Sequence, residues 1–147
     1  MRILFVCTGN TCRSPMAEAL CQHYLPNVEA LSAGVGAVPG LAASIGAGDA
    51  MQQRGLNIDH HRSRALSSYL LADVDLVLCM GAGHKQVILQ ALPEYADKVF
   101  TLAEYVGEEG DIADPWGGDA EEYQACADQI EFLIKKLAQK LEENPQQ

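Results

Sequence analysis

A segment near the N-terminus combines two cysteines and an arginine at a spacing that suits phosphate chemistry. It reads Cys7-Thr8-Gly9-Asn10-Thr11-Cys12-Arg13-Ser14. Five residues between Cys7 and Arg13 allow the backbone to curl into a cup whose N–H groups point inward and bind three phosphoryl oxygens. The Arg13 guanidinium can bind two of those oxygens. Cys7 faces the same donors in such a cup, so we expect it to attack phosphorus as a thiolate.

The other residues of this segment suit supporting roles. Gly9 and Asn10 tolerate the left-handed backbone that a tight curl needs. Ser14 can either cap the helix that follows or donate a hydrogen bond to the Cys7 thiolate. Because the segment lacks the Gly-Lys-Ser/Thr of a nucleotide-binding phosphate loop, the pattern does not predict nucleotide binding. The spacing from Cys7 to Arg13 is a weak motif alone and becomes specific through the elements around it.

The elements around this segment predict an α/β fold. Ile3-Leu4-Phe5-Val6 is typical of a strand buried on both faces, and Pro15 suits the first position of a helix. Further strands are predicted over residues 28–32, 75–80 and 98–101, and further helices over 42–54, 66–72, 83–92 and 119–141. Their alternation indicates a single domain over residues 1–147, built on a four-stranded parallel sheet with helices on both faces. The phosphate-binding loop then follows the first strand, where such sheets bind ligands.

The charge of the chain is strongly acidic and unevenly distributed. Ten basic and twenty acidic residues give a net charge of -10 over 147 residues, of which -9 lies in residues 101–147. This balance argues against a nucleic-acid-binding or membrane-surface protein, since both need a basic footprint. An anion site is therefore expected in the nearly neutral residues 1–100.

Cysteine usage and the N-terminus indicate a cytoplasmic protein with reduced thiols. The five cysteines are odd in number and too few for a disulfide scaffold, and the apolar run after Met1 is too short for a signal peptide. No metal-ligand spacing links the cysteines and the four histidines, so we expect no metal and no other cofactor. We expect a monomer.

Five segments together resemble the low-molecular-weight protein phosphatases. They are CTGNTCRSPMAEAL from residue 7, SAG at 32–34, HHRSR at 60–64, DLVLCM at 75–80 and DPW at 114–116. The resemblance covers essentially the whole chain and implies metal-free hydrolysis of phosphorylated proteins through a cysteinyl-phosphate intermediate. It implies that Cys7 is the nucleophile, Arg13 binds the phosphate and Asp114 is the general acid. It also suggests that His61 steadies Asn10 and Ser32.

Within this family, Thr11 and its context bear on which phosphorylated residue is the substrate. The tyrosine phosphatases of the family usually carry an aliphatic residue at this position, whereas Thr11 resembles the bacterial protein arginine phosphatases. A hydroxyl beside the line of attack can bond polar groups of a phosphoguanidine. The single Trp116, and Gly81 after Met80, point the same way. We therefore favour phosphoarginine over phosphotyrosine, with Thr11 and Trp116 as substrate-selecting residues, although the Trp116 ring suits a guanidine or a phenol.

Two other functions stay open. An arsenate reductase would use Cys7 as the first nucleophile and Cys79 as the second. Its reaction passes from cysteine to cysteine and needs a third one near position 86, which is glutamine here. A non-catalytic phosphoprotein-binding module would be favoured if the nucleophile, the phosphate ligand or the general acid were missing, and all three are present.

Several residues near the predicted site have two interpretations. Cys12 can form a protective disulfide with Cys7 under oxidation, or it can be a small side chain that packs within the loop. His23 and His84 fall on predicted helices and are expected to be ordinary surface residues. Asp111 is expected to be a loop charge, because the proline that follows Asp114 has no counterpart there.

Overall fold

The computed structural model describes residues 1–143. Within that range, four parallel strands form one sheet in the order β2-β1-β3-β4, namely β1 (Arg2–Cys7), β2 (Glu29–Gly34), β3 (Leu76–Cys79) and β4 (Val99–Thr101). The helices of the same range are α1 (Arg13–Tyr24), α2 (Ile45–Gln52), α3 (Ser68–Asp73), α4 (Ala82–Ala91), α5 (Leu102–Tyr105) and α6 (Ala120–Glu143). A 3₁₀ turn spans Pro93–Lys98.

The central strand β1 is buried on both faces, as its apolar run predicts. Ile3 and Phe5 pack into a core shared with α1, α2, α5 and α6. Leu4 and Val6 point the other way, into a core shared with α3 and α4. Because alternate side chains of a strand point to opposite faces, four consecutive apolar residues require cover on both sides. The predicted sheet with helices on both faces is confirmed.

Helix ends differ from the sequence-based prediction where local hydrogen bonds decide them. Helix α1 begins at Arg13, two residues before Pro15, because the loop that precedes it curls directly into the first turn. Helix α2 begins at Ile45, later than predicted, since the Ser44 hydroxyl accepts a hydrogen bond from the Ala47 N–H at 3.3 Å and caps it.

Helix α5 was not predicted, although its capping signal is present in the sequence. The Glu104 N–H donates to the Thr101 hydroxyl at 3.0 Å, and the Thr101 N–H donates to the Glu104 carboxylate at 2.6 Å. This reciprocal pair is the Thr-x-x-Glu capping box that marks a helix N-terminus. A helix of four residues is too short to show the periodic spacing of apolar residues that predicts longer helices.

The last helix, α6, buries one apolar stripe. Its buried residues include Tyr123, Ala127, Ile130, Ile134, Leu137 and Leu141. The stripe packs against α1 and α2, so α6 closes the core that contains Ile3 and Phe5. None of the helices within residues 1–143 has the length and hydropathy required to cross a bilayer.

The order of the strands places the loop after β1 where ligands bind in this architecture. The chain moves from β1 to β2 on one side and later to β3 on the other, so the crossovers diverge at β1. A crevice forms at the carboxyl end of the sheet at such a switch point. Residues 7–14 occupy that position.

Candidate active site

Asn10 holds the loop between β1 and α1 in its curled shape. Its φ of 57° is the only positive value at a non-glycine position within residues 1–143. The fully buried side chain donates to the Ser14 and Ser32 hydroxyls at 2.8 and 3.0 Å. Its side-chain amide oxygen, Oδ1, accepts from the Arg64 N–H at 2.9 Å. Asn10 therefore adopts the left-handed backbone that was predicted, whereas Gly9 does not.

The Cys7 thiol faces a hydroxyl at the start of α1. Cys7 Sγ lies 2.9 Å from Ser14 Oγ, and Cys7 is only 2% exposed. Since Ser14 Oγ already accepts a hydrogen bond from Asn10, its own proton is free to point at the sulfur. Of the two roles predicted for Ser14, the structure supports donation to Cys7, because the cap of α1 is Cys12 and makes no side-chain capping bond.

Arg13 connects the loop to a segment far along the chain. Its Nη1 donates to the Ile112 carbonyl oxygen at 2.9 Å, and its Nη2 lies 3.5 Å from Thr8 Oγ1. The same Nη2 lies 3.6 Å from an oxygen of Asp114. The guanidinium is thus buried beside the loop and held from several directions.

Asp114 lies at the edge of the loop, on the irregular segment that precedes α6. Its side chain is half exposed, and its second oxygen accepts a hydrogen bond from the Trp116 N–H at 3.0 Å. The Trp116 side chain extends into solvent and is 73% exposed. The segment is anchored by the Ile112 N–H, which donates to the Met80 carbonyl oxygen at 3.0 Å. The three predicted catalytic residues, Cys7, Arg13 and Asp114, therefore meet at one edge of the sheet.

The second half of the loop rests on α2 and α6. Cys12 Sγ lies 3.2 Å from the Ser44 hydroxyl and 3.5 Å from the Tyr123 hydroxyl. Thr11 is partly exposed, and its backbone carbonyl oxygen accepts a hydrogen bond from the Ser44 N–H at 2.8 Å. The Thr11 hydroxyl lies 3.9 Å from Cys12 Sγ. All the cysteines are free thiols in this structure, so a Cys7–Cys12 disulfide stays a prediction.

His61 and Ser32 contact the loop from behind, by a route that differs from the expected one. Buried His61 bonds the Asn10 carbonyl oxygen through Nε2 at 2.7 Å. Ser32 is held instead by three other residues. Its hydroxyl accepts from the Asn10 side chain and donates to the Glu18 carboxylate at 2.6 Å. Its backbone carbonyl oxygen accepts from Arg64 Nε at 3.0 Å. Arg64 and Glu18 were not predicted as supporting residues. Both lie in the segments that carried the family resemblance.

A family model described as "Low molecular weight phosphotyrosine protein phosphatase" matches residues 2–147. The chain belongs to this family. It is a cysteine-dependent protein phosphatase, and the predicted family is confirmed.

Curated relatives of this phosphatase cover nearly the whole chain. The protein-arginine-phosphatase of Geobacillus stearothermophilus is 50% identical over 143 residues, 96% of each chain. That of Bacillus subtilis (strain 168) is 44% identical over 149 residues, 98% of this chain and 99% of the relative. The low molecular weight protein-tyrosine-phosphatase PtpB of Staphylococcus aureus is 38% identical over 141 residues, 93% of this chain and 96% of the relative.

Solved structures agree with the fold of the phosphatase. The YwlE arginine phosphatase from Geobacillus stearothermophilus has a TM-score of 0.93 and 49% identity, covering 97% of this chain and 93% of that one. A YwlE arginine phosphatase has a TM-score of 0.95 and 44% identity, covering 98% of this chain and 97% of that one. The latter is a cysteine-to-serine mutant with a phosphorylated active site serine.

Two residues that were expected to have no specific role make specific contacts. His84 was expected at the surface, but it is buried and its Nε2 lies 3.0 Å from Thr8 Oγ1. Asp111 was expected to be a loop charge, but it caps α4 by accepting from the Ala82 N–H at 3.0 Å. The position before Ala82 is Gly81, and a Cβ there would lie 3.1 Å from the Asp111 carboxyl group. His23 is exposed, as expected.

A close approach also explains one glycine of the SAG segment. A Cβ on Gly34 would lie 2.4 Å from the Thr8 carbonyl oxygen and 3.0 Å from the Asn10 nitrogen. The loop therefore packs directly on the end of β2, and only glycine leaves room for it. Gly34 is a supporting residue of the loop that was not predicted as such.

The remaining cysteines belong to the core. Cys21, Cys79 and Cys126 are buried, and burial raises the pKa of each thiol to about 12. Cys79 is paired with Val6 in the sheet and packs into the core opposite to that of Cys7. The two thiols that an arsenate reductase would use therefore lie on opposite faces of the sheet. Within residues 1–143, His, Cys, Asp and Glu side chains form no group of three suited to a metal ion.

Proposed function

We propose that this phosphatase hydrolyses phosphoarginine in proteins, with Cys7 as the nucleophile. The observation that carries the chemistry is that Asp114, from the segment before α6, lies beside the loop that holds Cys7 and Arg13. Two relatives that match nearly the whole chain are named protein-arginine-phosphatases, and this supports the choice of substrate. The phosphorylated active site serine of the mutant YwlE supports a covalent phosphoenzyme.

In the first step, the Cys7 thiolate attacks phosphorus while the bond from phosphorus to the guanidine nitrogen breaks. The Ser14 hydroxyl, 2.9 Å from the sulfur, stabilises the thiolate. Backbone N–H groups of residues 8–13 and the Arg13 guanidinium bind the phosphoryl oxygens. Asp114 donates its proton to the leaving nitrogen, so that arginine leaves as a neutral or protonated guanidine rather than as an anion.

In the second step, water hydrolyses the cysteinyl phosphate. Asp114, now a carboxylate, takes a proton from the water as its oxygen attacks phosphorus. The sulfur–phosphorus bond breaks, and Cys7 leaves as the thiolate that Ser14 stabilises. Inorganic phosphate is released, so the enzyme returns to its starting state without a cofactor.

Thr11 and Trp116 are proposed to select the phosphorylated residue. Thr11 is partly exposed on the loop, and Trp116 extends from the segment that carries Asp114. A hydroxyl at position 11 can bond the guanidine nitrogens, whereas the exposed ring provides a flat surface beside the leaving group. Phosphotyrosine is the second candidate substrate, because PtpB relatives are named tyrosine phosphatases and the Trp116 ring suits a phenol.

The test is a direct comparison of two peptides that differ only in the phosphorylated residue. We expect kcat/KM to be higher for the phosphoarginine peptide than for the phosphotyrosine peptide. Phosphate release from each is measured under identical conditions. A higher kcat/KM on phosphotyrosine would overturn the proposed substrate while leaving the phosphatase chemistry intact.

Thr11→Ile tests the basis of that selectivity. Replacing the hydroxyl by an aliphatic group should shift the ratio of kcat/KM toward phosphotyrosine. Thr11→Ser is the matched control, since it keeps the hydroxyl and should keep the preference. Equal ratios for both variants would remove the role given to the Thr11 hydroxyl.

A further inference from the structure

His84 occupies a buried position between α4 and the phosphate-binding loop. It is the third residue of α4 and only 8% exposed. Its Nε2 lies 3.0 Å from Thr8 Oγ1, and Thr8 is the residue that directly follows the nucleophile. A histidine placed at the surface by its sequence context thus contacts the loop that binds phosphate.

The contact continues from Thr8 to the arginine of the site. Thr8 Oγ1 lies 3.5 Å from Arg13 Nη2, and this nitrogen lies 3.6 Å from Asp114 Oδ2. The other guanidinium nitrogen, Nη1, is held by the Ile112 carbonyl oxygen at 2.9 Å. A chain of polar contacts therefore runs from His84 through Thr8 to the side of Arg13 that faces Asp114.

The direction of the protons in this chain follows from the donors available. A guanidinium can only donate, so Thr8 Oγ1 accepts from Arg13 and its own proton can point to His84. His84 Nε2 then accepts, which requires a neutral ring with its proton on Nδ1. That Nδ1 is buried and has no hydrogen-bond partner among residues 1–143. Within residues 1–143, the hydrogen bond of this ring is therefore the one between Nε2 and Thr8 Oγ1.

The charges around His84 favour the neutral ring. Burial, followed by the nearby positive charge of Arg13, lowers the pKa of His84, while Asp111 and Asp114 act in the opposite direction. A protonated ring would instead donate to Thr8 and would compete with Arg13 for the same oxygen. The neutral ring leaves Thr8 free to accept from Arg13.

We propose that His84 is a positioning residue of the phosphatase, which holds Arg13 through the Thr8 hydroxyl in the orientation that binds the phosphoryl group. The inference rests on the proposed role of Arg13 in phosphate binding. It does not depend on whether phosphoarginine or phosphotyrosine is the substrate.

The test compares two replacements of His84. His84→Leu removes the acceptor, whereas His84→Gln retains a polar group that can reach Thr8. We expect His84→Leu to weaken the binding of inorganic phosphate, measured by calorimetry, and to lower kcat/KM on a chromogenic aryl phosphate, each by about tenfold. His84→Gln should recover most of both losses. His23→Leu is the matched control, since His23 is an exposed histidine of α1 and its replacement should change neither quantity.

A double-mutant cycle with Thr8→Val separates positioning from packing. If His84 acts through the Thr8 hydroxyl, the double variant should bind phosphate no more weakly than the worse single variant. Additive losses, or a His84→Leu variant that binds phosphate like the wild type, would overturn the proposal. Should His84→Leu fail to fold, the same cycle with His84→Ala and Thr8→Val decides, since His84→Ala also removes the acceptor and a merely structural histidine would show no coupling to Thr8.

Calorimetry keeps this test separate from the proposed function. A wild-type protein that binds phosphate and hydrolyses no phosphorylated peptide would overturn the proposed function alone. The His84 variants would still report on phosphate binding in that case.

Discussion

The floor and the wall of the active site differ sharply in how firmly the structure holds them. The floor is the loop of residues 7–14, in which Cys7, Asn10 and Ser14 are almost completely buried and joined by hydrogen bonds. The wall is the segment of residues 114–118, in which Asp114 is half exposed and the Trp116 side chain largely exposed. One side of the site is therefore buried and hydrogen-bonded, and the other is exposed to solvent.

The proposed function gives these two parts different chemical tasks. Binding three phosphoryl oxygens and attacking phosphorus need fixed donors, because preorganised dipoles lose no energy to reorganisation during the reaction. Proton transfer to the leaving group and recognition of the phosphorylated side chain need access to a large substrate. We expect substitutions in the floor to affect the reaction on every substrate, and substitutions in the wall to depend on the leaving group.

The largest effect is expected from Cys7→Ser in the floor. A hydroxyl is a much weaker nucleophile than a thiolate at neutral pH, so turnover should fall below detection. The fold should persist, because the replacement is small and can keep the contact with Ser14. Phosphate release and the thermal unfolding midpoint measure the two expectations. Activity near that of the wild type would remove Cys7 as nucleophile.

Asp114→Asn in the wall should cost about 10²–10⁴-fold in rate, the usual contribution of a positioned proton donor. The loss should be greatest for poor leaving groups, which need the proton most. A series of aryl phosphates with leaving groups of increasing pKa measures this dependence. An equal loss across the series would contradict the role of Asp114 as general acid.

Gly34→Ala tests how tightly the floor is packed. The new methyl group would lie 2.4 Å from the Thr8 carbonyl oxygen, so the loop must move, at a cost of about 1–3 kcal/mol in unfolding free energy. Phosphate binding should weaken as well, since the displaced carbonyl belongs to the cup. Denaturant unfolding and calorimetry measure the two effects.

Gly48→Ala is the matched control for that substitution. Gly48 lies in α2, and a Cβ at this position would meet no neighbouring element of residues 1–143 within 4 Å. Alanine there should leave phosphate binding unchanged and raise the unfolding free energy by up to about 1 kcal/mol. Similar results for the two glycine variants would show that the contact of the loop with β2 does not constrain it.

The smallest effect is expected from Trp116→Ala in the wall. Because this side chain is mostly exposed, its loss should change the unfolding free energy by less than about 0.5 kcal/mol. The KM for phosphopeptides should rise about threefold, with a smaller change in kcat, if the ring contacts the substrate beside the leaving group. A KM equal to that of the wild type would exclude Trp116 from substrate selection.

Local patterns were enough to predict the floor of the site. The residues that matter there lie within one short segment, namely Cys7, Asn10, Arg13 and Ser14. The strand before them is predicted by its apolar run, and the helix after them is predicted by Pro15. Hydrogen bonds within this short segment, from Asn10 to Ser14 and between Ser14 and Cys7, contribute to the curl of the loop, so its chemistry could be inferred from spacing. Asp114 needed the family resemblance, since 100 residues separate it from the loop.

The amino-acid sequence by itself determined the strand–loop–helix unit and the chemistry it supports, because these depend on neighbours along the chain. Only the tertiary structure decided which distant residues support the loop. It buried His84 against Thr8, used Asp111 to cap α4 where Gly81 has no side chain, and packed Gly34 against the loop backbone. Each of these contacts joins residues that are far apart in the sequence and that meet where the parallel strands bring their carboxyl ends together. No local sequence pattern encodes such a contact.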